Sequence, residues 1–197
     1  MTKRRIGLMG GTFDPIHLGH LLAADAAREA AGLDEVWFVP NSVPAHKPQP
    51  GADGDERREM VEAAIGGVPY FRLEASELHR AGVSYTIDTV AELQALHPDA
   101  AFYWIVGADM RNSLPTWRRI EELAERVTFI CLERPGEPDE TATLPAFLQP
   151  KLVRAGMPQI GVSSTDIRAR RREGRSIRFM VPETVRDYIE RKGLYES

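Results

Sequence analysis

The chain has 197 residues, 43% of them hydrophobic, and a formal net charge of −4, which suits one compact domain with its own core. The mildly acidic balance excludes a dedicated nucleic-acid binder, which carries a basic surplus. The single cysteine, Cys131, excludes a disulfide framework and a cysteine-based metal site. No apolar run approaches the ~20 residues needed to cross a bilayer, and the apolar stretch after the basic start is too short and too broken by glycine for an export segment. A cytoplasmic protein with no membrane and no nucleic-acid partner is expected; a small anionic ligand and a homo-oligomer both stay open.

Apolar runs of strand length alternate with stretches of helical period, the sequence form of βα units and a mostly parallel sheet with helices on both faces. Strands are expected at 5–9, 35–40, 70–73, 101–106, 127–132 and 159–162. The first helix is expected over 18–31, ending at Gly32, and the second from Asp55, an N-cap type, to the pair Gly66-Gly67. Further helices are expected over 86–96, 116–125 and 164–173, and a last one follows Pro182, which suits a first-turn position, and stops at Gly193. The loop 41–54, with three prolines and two glycines, has the length of a lid or binding loop; the stretch 133–151 reads as structural or mobile. The whole is expected to be one domain, 1–197, with a small C-terminal helical portion from about 163.

The opening strand feeds into Gly10-Gly11-Thr12, where missing side chains let backbone N–H groups approach a phosphate, and a helix N-terminus with its own unpaired donors follows. His17 and His20, three residues apart in the first turn, can face one ligand and donate to phosphate oxygens. Neither the dinucleotide fingerprint G-x-G-x-x-G nor the P-loop pattern occurs here. Near the other end, Ser163-Ser164-Thr165-Asp166-Ile167-Arg168 reads either as a helix start with three capping hydroxyls or as a second phosphate cradle, with Arg168 supplying charge to a developing pyrophosphate.

Gly10-Gly11-Thr12-Phe13-Asp14-Pro15-Ile16-His17-Leu18-Gly19-His20 and Ser163-Ser164-Thr165-Asp166-Ile167-Arg168 resemble the two signature segments of the HxGH nucleotidyltransferases. Within that superfamily the chain most resembles the bacterial nicotinate-nucleotide adenylyltransferases. Pro40-Asn41-Ser42-Val43-Pro44-Ala45-His46-Lys47, Ser84-Tyr85-Thr86-Ile87-Asp88-Thr89, Gly107-Ala108-Asp109, Pro115-Thr116-Trp117 and the closing Tyr188-Ile189 with Gly193-Leu194-Tyr195 match in the expected order over essentially the whole chain.

The resemblance implies a Rossmann-like nucleotidyltransferase fold of the α/β class and a reaction of ATP with nicotinate mononucleotide, giving nicotinate adenine dinucleotide and pyrophosphate. Mg²⁺ would be carried by the ATP phosphates rather than by a protein-only metal site. On this resemblance His17, His20 and Arg168 are catalytic. Gly10, Gly11, Thr12, Phe13, Gly19, Gly107, Asp109, Ser164, Thr165 and Ile167 bind ATP, with Gly107 and Asp109 at its adenosine portion. Asn41, Lys47, Thr86, Trp117 and Arg118 line the second substrate's pocket, Trp117 stacking on the pyridinium ring. Arg118 stands where many relatives carry an aromatic residue, so it either aids carboxylate recognition or points to solvent. From the residues alone Asp109 reads equally as the N-cap of a short helix and Trp117 as a core tryptophan. The alternatives are a related adenylyltransferase acting on nicotinamide mononucleotide or another phosphate, and a nucleotide-binding module without catalysis.

Overall fold

Four consecutive residues buried in one strand mean that both faces of its sheet are covered, because side chains alternate between faces. That pattern runs through residues 6–9 of β1 (Arg4–Gly11) and 129–132 of β5 (Thr128–Glu133), and through residues 36–40 of β2 (Glu35–Pro40). The computed structural model describes residues 3–42, 50–80, 82–133 and 144–196, apart from the side chains of Ala108 and Asp109. Its strands form a six-stranded parallel sheet completed by β3 (Phe71–Leu73), β4 (Ala100–Val106) and β6 (Leu152–Gly156), in the order β3-β2-β1-β4-β5-β6. Parallel pairing sets Ile6 opposite Phe102, Ile105 opposite Ile130 and Cys131 opposite Arg154. This is the doubly wound order, which reverses between β1 and β4.

The helices are α1 (Leu18–Ala31), α2 (Gly54–Ile65), α3 (Ser76–His79), α4 (Thr86–Leu96), α5 (Ala108–Arg111), α6 (Ile120–Arg126), α7 (Ser164–Arg172) and α8 (Glu183–Lys192). The expected bounds of α1 and α4 and of β2 hold to the residue. Gly193, at φ 64°, closes α8 in the left-handed conformation that its missing side chain permits.

Four expectations need correction. The sixth strand is Leu152–Gly156, not 159–162, which is irregular; the short run at 152–156 carries an exposed Arg154, and only pairing with β5 organises it. The helix expected over 116–125 is two pieces, a 3-10 turn at Leu114–Thr116 and α6, with Trp117 extended between them and Arg119 left-handed at φ 53°. Asp53, not Asp55, caps α2, in a reciprocal capping box with Glu56. Pro182 stands at the N-cap of α8, one residue before the first turn.

The chain divides into two compact units. The first comprises 1–9, 23–37 and 84–159, and the second 10–22, 38–83 and 160–197. In the first, Ile87, Val90 and Leu93 of α4 and Leu123 of α6 are buried with Phe129 and Ile130. In the second, Phe38 packs edge-on to Phe71 and tilted against Phe13. There α8 is tied to α2 by Tyr188, whose hydroxyl donates to Glu59 at 2.7 Å, and by Thr184, which donates to Ala63 O at 2.7 Å. None of the described helices is long and apolar enough to cross a membrane.

Candidate active site

β1 ends in the turn that carries the first signature segment, and the second unit holds the site from there. Phe13 has φ 49°, an uncommon backbone for an aromatic residue, and its ring is buried against Phe38 and edge-on to His20 at 5.1 Å. A side chain at position 11 would meet that ring at 2.8 Å, so Gly11 is what lets Phe13 turn inward.

His17 and His20 stack with ring centroids 3.7 Å apart and planes 24° from parallel. His17 is only 7% exposed, and burial lowers its pKa to about 4, so at neutral pH it is an uncharged imidazole. Its Nδ1 is buried and has no hydrogen-bond partner among the described residues. His20 Nδ1 accepts the His17 backbone N–H at 3.2 Å. With Nδ1 accepting, the proton of a neutral His20 ring would sit on Nε2.

The sequence suggested a helix start full of free donors, and the geometry narrows that. His17 N–H is taken by His20 and Leu18 N–H by Met180 O at 3.0 Å. These two N–H groups are therefore already engaged within the protein.

The second signature segment docks on the first. Ser164 Oγ donates to Pro15 O at 2.9 Å, and Arg168 Nη1 donates to Asp14 O at 2.7 Å while lying 3.6 Å from the Asp14 carboxylate. Ser163 is the N-cap, its hydroxyl accepting from Asp166 N–H at 3.1 Å. Only one of the three hydroxyls caps, then, and the N–H groups of Ser164 and Thr165 stand in the helix's first turn, where no intrahelical acceptor exists. Thr165 is exposed, its Oγ1 3.5 Å from Arg168. Ile167 is fully buried with its N–H bonded to Ser163 O, which makes it the anchor of α7 in the core.

Three residues to which sequence reasoning gave no role organise this centre. The buried Asp14 carboxylate accepts from the N–H groups of Gly51 and Ala52 at 2.8 and 3.0 Å and from the Tyr195 hydroxyl at 2.7 Å. Burial, the Asp14 charge and this hydrogen bond all raise the Tyr195 pKa, so Tyr195 remains the donor. Arg57 donates to Thr12 O and Asn41 O, both at 2.8 Å. The clue to Arg57 was its place among Met60, Val61 and Ile65 on the buried stripe of α2; Tyr195 lies in the closing segment that the resemblance covers, with no role attached to it.

The first unit carries Gly107, Asp109, Trp117, Arg118 and Thr86. Gly107 follows β4 as the N-cap of α5, so Asp109 lies inside that helix rather than at its cap. Trp117 is half-buried, edge-on to Trp104 at 6.4 Å and Phe129 at 6.5 Å, with its indole N–H 3.4 Å from Ser113 Oγ. The Arg118 guanidinium lies 4.3 Å from the centre of the Tyr85 ring, in cation–π contact. Thr86, half-buried, opens α4 directly after that tyrosine. Lys47, like residues 43–49 as a whole, lies outside the described residues; Asn41 is inside them and bridges Gly11 and Arg57 through its backbone. Among the described residues no three His, Cys, Asp or Glu side chains cluster as a metal site.

A stacked imidazole pair after the first strand of a parallel sheet, one ring kept neutral by burial and the turn held by an arginine from a second helix start, suits phosphate chemistry. The cytidylyltransferase-like family profile matches residues 8–170, which span both signature segments, and fold and site together define a nucleotidyltransferase. Probable nicotinate-nucleotide adenylyltransferases are close relatives: that of Bacillus pumilus is 46% identical over 98% of this chain and 100% of its own. That of Geobacillus kaustophilus is 48% identical over 97% of this chain and 86% of its own. The chain belongs to the nicotinate-nucleotide adenylyltransferase family. The fold is also that of the Plasmodium falciparum nicotinic acid mononucleotide adenylyltransferase solved with NaAD, at a TM-score of 0.81, 24% identity and 98% coverage of both chains.

Proposed function

We propose that the chain, acting as a single cytoplasmic nucleotidyltransferase domain, transfers the adenylyl group of ATP to nicotinate mononucleotide in NAD biosynthesis. The observation that carries this is the stacked His17–His20 pair beside the Asp14 carbonyl that Arg168 holds, in a chain 46–48% identical over nearly its whole length to relatives named for that reaction. A phosphate oxygen of the mononucleotide attacks the α-phosphorus of ATP, the bond to the β-phosphate oxygen breaks, and pyrophosphate leaves. Catalysis then consists of positioning two anions and stabilising charge as it develops.

His20 donates from Nε2 to the reacting α-phosphate, and His17, kept neutral by burial, holds the ATP phosphates without a formal charge. Gly10, Gly11, Thr12, Phe13 and Gly19 present backbone donors, while Ser164, Thr165 and Arg168 receive the departing pyrophosphate. Gly107 and Asp109 take the adenosine portion. Trp117, Thr86, Asn41 and Lys47 take the mononucleotide, with Arg118, held on the face of Tyr85, favouring the carboxylate of nicotinate. Mg²⁺ bound to the ATP phosphates would neutralise charge on the leaving group; the residues described here fit an ion held mainly by phosphate and water.

The purified protein with ATP, Mg²⁺ and nicotinate mononucleotide should release pyrophosphate, and faster than with nicotinamide mononucleotide. Binding without release would defeat the enzyme reading, and equal kcat/KM for acid and amide would defeat the substrate choice. In the same assay His20→Ala should lower kcat on the order of a hundredfold with a much smaller loss of ATP binding.

A further inference from the structure

Arg57 occupies a core position of α2 and is 1% exposed. Burial draws its pKa down against the opposing pull of Asp14, Tyr195 and Asp53. A charge held in an interior is costly, and an apolar residue of similar volume often serves stability as well or better. The partners of this one are unusual: Nη1 donates to two backbone carbonyls, Thr12 O and Asn41 O, at 2.8 Å each, and Nε has no partner among the described residues. Thr12 lies in the turn after β1 and Asn41 directly follows β2, while Asn41 N–H donates to Gly11 O at 3.0 Å. One guanidinium thus clamps together the first residues beyond two neighbouring strands.

The consequence follows from peptide geometry. A trans peptide points its C=O and its N–H in opposite directions, and the only cis bond nearby is Asp14-Pro15. Drawing Thr12 O toward the buried guanidinium aims the Phe13 N–H away from it, and drawing Asn41 O inward does the same for the Ser42 N–H. We infer that Arg57 is a positioning residue of the phosphate site, fixing two peptide planes so that the Phe13 and Ser42 N–H groups stand as preset donors to phosphate oxygens. Presetting matters because donors that need not reorient as charge develops stabilise it most. The inference rests on the adenylyl-transfer reading and adds to it a buried residue that touches no substrate.

The test uses the full chain and inorganic pyrophosphate with Mg²⁺ as the probe. In ¹⁵N-labelled wild-type protein, the Phe13 and Ser42 amide resonances should move together and saturate as pyrophosphate is added. Arg57→Lys keeps the charge but not the planar fork. While still folded by circular dichroism, it should bind pyrophosphate about tenfold more weakly and lose kcat, with KM for the mononucleotide within about twofold. A purely structural arginine would lower thermal stability without that split. A folded Arg57→Lys variant with wild-type pyrophosphate affinity and kcat would overturn the inference. So would saturated wild-type protein in which neither amide moves, a measurement that decides the matter even if the variant does not fold. Wild-type protein that neither binds pyrophosphate nor releases it from ATP would instead overturn the adenylyl-transfer reading.

Discussion

His17 is a base that the fold prefers to keep neutral. Its pKa falls from 6.5 to about 4 because burial penalises the imidazolium. Between those two values the unfolded chain takes up a proton that the folded chain refuses, so stability attributable to His17 is complete above about pH 6.5 and is lost as pH falls toward 4. The full loss amounts to about 3 kcal/mol. Urea unfolding midpoints measured from pH 7 to 4 should fall less steeply for His17→Asn than for the wild type; parallel curves would show that His17 is not buried as a neutral group.

Among the elements, α2 shows how a local signal and a distant task meet. Asp53 Oδ1 accepts from Glu56 N–H at 2.8 Å, and Glu56 Oε2 accepts from Asp53 N–H at 2.9 Å. Asp53→Ala should therefore cost about 1 kcal/mol, read as a lowered urea midpoint, while Asp53→Ser should recover most of it. A wild-type midpoint in Asp53→Ala would mean that tertiary packing alone sets the start of α2. Because Arg57 lies in the first turn, fraying there reaches the Thr12 and Asn41 carbonyls as well. The interrupted stretch around Trp117 shows the opposite case. Its helical period is real, but the extended Trp117 interrupts it and sets its ring against Trp104 and Phe129. Propensity yields there to aromatic packing.

For the whole molecule, burial of the central strands bears directly on reactivity. Cys131 is fully buried in β5, and burial lifts its thiol pKa to about 11, so it should stay inert to a thiol reagent until the sheet opens. Labelling rates should rise along the same urea curve as global unfolding. Fast labelling under native conditions would place β5 in a locally opening segment.

The sequence by itself determined the alternation of strand and helix, the bounds of α1, α4 and β2, and the two signature segments that mark the family. Each of these is written in local terms: continuous apolar runs, a 3.6-residue period, capping residues, and glycines beside histidines. Only the tertiary structure decided what joins those segments, because its links span long stretches of chain: Ser164 to Pro15, Arg168 to Asp14, Tyr195 to the same carboxylate, and Arg57 to Thr12 and Asn41. The identity of β6 was decided in the same way. Its residues carry little strand character alone and become a strand by pairing with β5. Local chemistry wrote the two segments, and hydrogen bonds between residues far apart in the chain fixed how they are held together.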